Sequence, residues 1–143
     1  MKNVEPRPAT LKVLDPLLTA ALDARRHAQA RFSGFLVGAA LEHSSGRVFT
    51  GCNVENASYG LTMCAERVAV FKAISEGFSS GFRRIAIAAD GPKLTPPCGA
   101  CRQILWEFCK DFEVMLVNPR GETKSWKMSD LLPEAFDAEN LSS

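Results

Sequence analysis

Three cysteines and one glutamate carry the most definite chemistry in this sequence. Cys64-Ala65-Glu66 and, downstream, Pro97-Cys98-Gly99-Ala100-Cys101 offer three thiolates to a single zinc ion. Three protein ligands leave a tetrahedral zinc one open position for water, and a carboxylate held nearby without binding the metal can move that water's protons. The pattern points to hydrolysis, with Glu66 as the proton shuttle. Cys98 and Cys101 are three residues apart, so both sulfurs fall on one face at the start of a helix, and Cys64 must come from another element. Cys-x-x-Cys alone divides among a structural zinc, a redox pair and coincidence. Adding Cys64 shifts the balance towards a metal. A structural zinc wants a fourth protein ligand, but Cys52 and Cys109 have no partner at metal-site spacing and read as packing residues.

Charge sharpens the case. Three thiolates and Zn²⁺ sum to −1, which opposes ionisation of a bound water. Two helix N-termini aimed at the sulfurs each offset about half a charge, and Arg67 is placed to donate hydrogen bonds to a thiolate. Arg67 is therefore expected to act as an electrostatic counterweight, against the plainer reading of a solvated helix residue.

The elements that must position these groups can be read along the chain. Asp15-Pro16 is an N-cap followed by proline at the first helical position, and Leu18, Ala21, Leu22 and Ala28 share a face of a helix expected to end near Ala30. Leu36 to His43 and Arg47 to Val54 form a hairpin around Ser44-Ser45-Gly46. A helix from Cys64 to Glu76 follows, with Val68, Phe71 and Ile74 at helical spacing and Gly77 at its C-terminal cap. Arg84 to Ala89 is a buried strand stopped by Asp90-Gly91-Pro92, and Cys98 to Lys110 is the second cysteine-bearing helix. Val114 to Val117 is another buried strand, and Lys124 to Met128 an edge strand. This order predicts a three-layer α/β/α sandwich with a mixed five-stranded sheet. Each cysteine motif opens a helix that follows a strand, so both helix N-termini can meet at one end of the sheet.

At 143 residues the chain is expected to form one domain over 1–143, with 1–9 as a flexible arm. With 46% hydrophobic and 23% charged residues, its composition is that of a globular protein. A formal net charge of +1, with Lys and Arg scattered, offers no track for a phosphate backbone; a small-molecule partner is expected, and neither nucleic acid nor membrane. The N-terminus lacks the apolar core of an export signal, so the expected location is cytoplasmic. Five cysteines, an odd number, without such a signal argue against a disulfide framework, and with His27 and His43 as the only histidines any metal site leans on sulfur.

Four blocks carry a family resemblance: Phe35-Leu36-Val37-Gly38-Ala39-Ala40-Leu41, Gly51-Cys52-Asn53-Val54-Glu55-Asn56-Ala57, Cys64-Ala65-Glu66-Arg67 and Pro97-Cys98-Gly99-Ala100-Cys101-Arg102-Gln103. In order and spacing they resemble the cytidine deaminases, in the small homotetrameric form whose zinc is held by three cysteines. The resemblance runs from about Ala30 to Phe136. It implies one Zn²⁺ per chain on Cys64, Cys98 and Cys101, and a reaction in which metal-activated water attacks C4 of cytidine or 2′-deoxycytidine. Glu66 then protonates N3 and relays protons, and ammonia leaves.

It further implies that the Ala65 backbone contacts the base, that Phe35 packs on it, and that Asn53 and Glu55 hold the ribose 3′-hydroxyl. An amide and a carboxylate two residues apart on a strand point to one side and can divide a hydroxyl's donor and acceptor roles. Tyr59 and Phe136 match aromatic positions that reach a neighbouring subunit's site, which implies a homotetramer whose sites are completed across subunits. Arg31-Phe32 stands where the family shows Pro-Tyr, so a hydrogen bond from that tyrosine is not available here. Other readings are a blasticidin-type nucleoside deaminase, which lacks the Asn-x-Glu sugar grip, a polynucleotide editor, and a structural zinc module in which Glu66 has no role.

Overall fold

A computed structural model of the chain describes residues 13–141, and the arm expected over 1–9 lies outside them. Five strands form one sheet in the order β2-β1-β3-β4-β5. β1 (Val37–His43) pairs antiparallel with both β2 (Val48–Cys52) and β3 (Phe82–Ala89), β3 runs parallel to β4 (Glu113–Val117), and β5 (Thr123–Lys127) closes the far edge antiparallel. The sheet is mixed, as expected.

Period-two alternation divides the core. Leu41, Ile85, Ile87, Val114 and Leu116 face one side, where they pack with Ala65, Ala69, Val70 and Ala73 of α2 (Ala65–Ser75) and Leu105 and Cys109 of α3 (Gly99–Cys109). Ala40, Ala86, Ala88, Met115 and Val117 face the other, against Leu17, Leu18 and Ala21 of α1 (Pro16–Arg25). One helix on one face and two on the other give the three-layer sandwich. Small residues let the helices come close to the sheet. A Cβ on Gly38 would lie 2.1 Å from the Ala21 carbonyl oxygen, and one on Gly51 would lie 2.4 Å from that of Ala65. Gly51 thus fixes how near the first turn of α2 comes to β2.

α1 starts as predicted: Asp15 caps it, its carboxylate accepting from the Leu17 N–H at 2.9 Å, with proline at the first turn. It ends at Arg25 and not near Ala30. The Gln29 N–H donates to the Asn53 carbonyl at 2.9 Å and the Gln29 carbonyl accepts from the Glu55 N–H at 2.8 Å, so pairing with a distant segment takes the backbone groups a longer helix needs. The same pairing shortens β2, which stops at Cys52 and not Val54; Val54 makes isolated bridges to Gln29 and Met63. Asn53 and Glu55 therefore lie beyond the strand, not on it as the sequence suggested. A short helix, α4 (Met128–Leu131), follows β5 where an end of the edge strand was expected.

β2, α2 and β3 form one parallel crossover that skips over β1, and β3, α3 and β4 form the next. Both helices lie on the same face, so their N-termini meet beyond the C-terminal ends of β2 and β3. Among the described residues no helix is long and apolar enough to cross a membrane.

Candidate active site

Cys64 is the N-cap residue of α2 and Cys98 the N-cap residue of α3, both in extended backbone conformation and neither using its side chain as a cap. Cys101 lies in the first turn of α3 and is fully buried. The three sulfurs lie within 4.8 Å of one another, and those of Cys64 and Cys98 are 3.9 Å apart. Two sulfurs each about 2.3 Å from one tetrahedral ion lie roughly 3.8 Å apart, so the Cys64–Cys98 spacing is that of two ligands of one zinc, and Cys101 lies close enough to be the third. The free backbone N–H groups of two first turns point the positive ends of both helices at the sulfurs.

Cys64 and Cys101 hold their protons unequally. A hydrogen bond from Cys101, with Arg67 next, brings the Cys64 thiol down to about 5 in spite of partial burial. Sharing with Cys64, reinforced by burial and by neighbouring negative charge, pushes the Cys101 thiol far up. A metal entering the cage must therefore displace the Cys101 proton, which makes zinc uptake weaken as pH falls. Arg67 Nη2 donates to the Cys64 sulfur at 3.4 Å, and the guanidinium also reaches Cys101. Its Nε is buried without a hydrogen-bond partner, so the side chain is drawn in beside the sulfurs and is not a solvated surface arginine.

Glu66 is 4% exposed. Burial first, and the Cys64 thiolate second, push its carboxyl up to about 7. It shares a cavity of about 170 Å³ with Cys64, Cys98, Ala65, Phe35, Val37, Asn53, Thr62, Met63, Ile87, Thr95 and Pro96. The walls are apolar apart from the sulfurs, Glu66, Asn53 and two threonines, which suits a flat heterocycle presented to a metal and an acid.

Five of the expected substrate contacts therefore fall around or beside one hollow, but not all in the expected way. Phe35, Ala65 and Asn53 line the cavity. Asn53 is buried, its Oδ1 accepting from the Val37 N–H at 2.8 Å and its Nδ2 donating to the Phe35 carbonyl at 2.7 Å; one N–H is left for a ligand. Glu55 lies in an adjoining outer hollow of about 420 Å³ with Phe32, Ser33, Tyr59 and Thr62, and Thr62 belongs to both. Tyr59 stands at this rim, edge-on to Phe32 at 5.6 Å between ring centroids. Phe136 is outside both hollows and exposed; its carbonyl accepts from Gln103 Nε2 at 2.7 Å, which pins the C-terminal segment to α3. Cys52 is half-buried and Cys109 buried, in keeping with packing roles.

Sequence reasoning missed Ser33, Thr62, Thr95 and Pro96. Thr95-Pro96 precedes a ligand cysteine and was within reach of a spacing argument. Ser33 and Thr62 are joined to the site only through pairings between distant segments, which leave no local signal.

A mixed sheet that delivers two helix N-termini to a three-sulfur cage, with a buried glutamate beside an apolar cavity, defines a zinc-dependent hydrolase acting on a small cyclic substrate. Residues 12–117 match the family described as the cytidine and deoxycytidylate deaminase zinc-binding region. The chain belongs to that family. It is 49% identical over 126 residues to a cytidine deaminase of Halalkalibacterium halodurans, covering 87% of this chain and 95% of the relative. To a probable cytidine deaminase of Dictyostelium discoideum it is 47% identical over 129 residues, covering 90% and 86%. Its fold is similar to the crystal structure of cytidine deaminase from Burkholderia pseudomallei, with a TM-score of 0.82 and 48% identity over 85% of this chain and 97% of that one.

Proposed function

We propose that this chain hydrolyses cytidine and 2′-deoxycytidine to uridine and 2′-deoxyuridine with release of ammonia, using one zinc per chain on Cys64, Cys98 and Cys101. The observation that carries the proposal is the buried Glu66 carboxylate in the same cavity as the sulfur cage. Zinc, when bound, supplies the Lewis acidity that makes water a nucleophile at neutral pH. Glu66 does the proton work. Buried and poised near neutrality, its carboxylate takes one proton from the attacking water and gives it to the ring nitrogen N3, then takes the remaining proton from the hydroxyl added at C4 and gives it to the amine, which leaves as ammonia as the C4 carbonyl forms.

Arg67 and the two helix ends offset the negative charge of three thiolates, so the site need not carry that charge uncompensated. Phe35 and the Ala65 backbone hold the base. The remaining N–H of Asn53 and the Glu55 carboxylate at the cavity mouth take the sugar, the amide donating and the carboxylate accepting.

The working unit in this proposal is a homotetramer in which Tyr59 and Phe136 close the site of a neighbouring subunit. Tyr59 and Phe136 are 73% and 57% exposed, which supports a role outside their own chain's core.

The test is the loss of cytidine absorbance with zinc-loaded protein, repeated after chelation and after zinc is restored. Turnover that disappears and returns with the metal is expected. No conversion by zinc-loaded protein, or faster turnover of blasticidin-type substrates in direct competition, would sink the reading.

A further inference from the structure

The Glu55 carboxylate is largely occupied by its own chain. Its Oε1 accepts from the backbone N–H groups of Phe32 at 2.9 Å and Ser33 at 3.0 Å, and its Oε2 accepts from the Ser33 hydroxyl. Ser33 Oγ in turn accepts from the Phe35 N–H at 3.0 Å. The Phe35 carbonyl is held by Asn53. One line of hydrogen bonds thus runs from Glu55 through Ser33 and Phe35 to Asn53, joining the outer hollow to the inner cavity. Gly34, at φ 67°, makes the tight bend that brings the Ser33 hydroxyl back over this line, and its N–H closes the turn on the Ala30 carbonyl at 2.8 Å.

The direction of the Ser33 proton is fixed. The Phe35 N–H can only donate, and an ionised carboxylate can only accept, so the single hydroxyl proton must point at Glu55. These hydrogen bonds hold the Glu55 carboxyl below the usual range, which keeps it ionised. A carboxylate offers about four acceptor positions. Three are filled here, two on Oε1 and one on Oε2.

We propose that Ser33 is a positioning residue for sugar recognition: its hydroxyl turns Glu55 so that one acceptor position on Oε2 is presented to a ribose hydroxyl, and ties that orientation to Phe35. The proposal rests on the reading of Glu55 as the sugar-binding carboxylate. It gives Ser33 no contact with the base, the metal or the reacting atoms, so the effect belongs in KM and in discrimination between sugars, not in kcat.

The experiment measures kcat and KM of the zinc-loaded full chain for cytidine and 3′-deoxycytidine, in the unaltered protein and in Ser33→Ala, Ser33→Thr and Glu55→Gln. Ser33→Ala should raise KM for cytidine about tenfold, since a hydrogen bond to a charged group is lost. It should change kcat by less than about twofold and leave KM for 3′-deoxycytidine where it was. Ser33→Thr, which keeps the hydroxyl, should restore the preference for cytidine. A KM rise of equal size for both substrates, or a fall in kcat, overturns the proposal by showing general damage to the loop. Should Ser33→Ala be unstable, Ser33→Cys must show a smaller rise confined to cytidine, or the proposal fails. If Glu55→Gln does not narrow the gap between the two substrates, the reading of Glu55 falls and this proposal with it; if Glu55→Gln narrows the gap and Ser33→Ala does not, only the role of Ser33 falls.

Discussion

The metal end of the site and its outer rim are built on opposite principles. Cys64, Glu66, Cys98 and Cys101 stand on the first turns or caps of two helices that pack against the centre of the sheet. Backbone geometry fixed by the core thus positions the sulfurs and the carboxylate, and one chain supplies them all. Phe32, Tyr59 and Phe136 stand outside regular strands and long helices, and their rings are exposed. The metal end is thus preorganised within the chain, whereas Tyr59 and Phe136, in the function proposed above, enclose substrate only once a neighbouring subunit is in place. Substitutions at the metal end should therefore act on kcat and those at the rim on KM.

The largest expected effect is at Glu66. Glu66→Gln keeps the shape and removes the proton carrier, so kcat should fall about 10²- to 10⁴-fold while zinc content, measured by elemental analysis, stays at that of the unaltered protein. A variant that turns over normally would break the comparison at its strongest point and return the structural-zinc reading. One that loses zinc would place Glu66 among the ligands.

Arg67 should rank next. Arg67→Ala removes the donor to the Cys64 sulfur and leaves the thiolates short of positive charge. At full zinc occupancy kcat should drop about tenfold, in the range of a charge-assisted hydrogen bond. Zinc affinity, measured by competition with a chelator, should change as well. An unchanged rate at full occupancy removes Arg67 from the electrostatic machinery.

The same division governs what the sequence made legible. Metal coordination demands particular residue types at particular spacings, and helix N-termini carry their own local signals, so both cysteine motifs, both helices and the sheet strands could be read in advance. The ends of α1 and β2 could not. Gln29 pairs with residues 53–55, and no glycine or proline marks that capture, so tertiary pairing overrides the local pattern at both elements. Asn53 and Glu55 lie past the strand, and their partners within the chain were not legible either: Asn53 is spent largely on Phe35 and Val37, and Glu55 on Phe32 and Ser33. The fold was legible where chemistry is local and illegible where segments about twenty residues apart exchange hydrogen bonds.

The smallest effect tests the rim. Tyr59 touches Phe32 edge-on within its own chain but buries little there, so Tyr59→Ala should leave the thermal midpoint within about 2 °C. If the exposed ring serves a neighbouring subunit's site, KM for cytidine should rise about three- to tenfold, the range for losing an interface aromatic, with kcat nearly kept. The unaltered protein should show a matching dependence on dilution, its KM rising as sedimentation shows the assembly dissociating, whereas zinc content should not respond to dilution. That last contrast decides between the two ways of building the site. A rim completed within the chain predicts kinetics independent of protein concentration, and a rim completed by assembly predicts that dilution alone imitates the Tyr59 substitution.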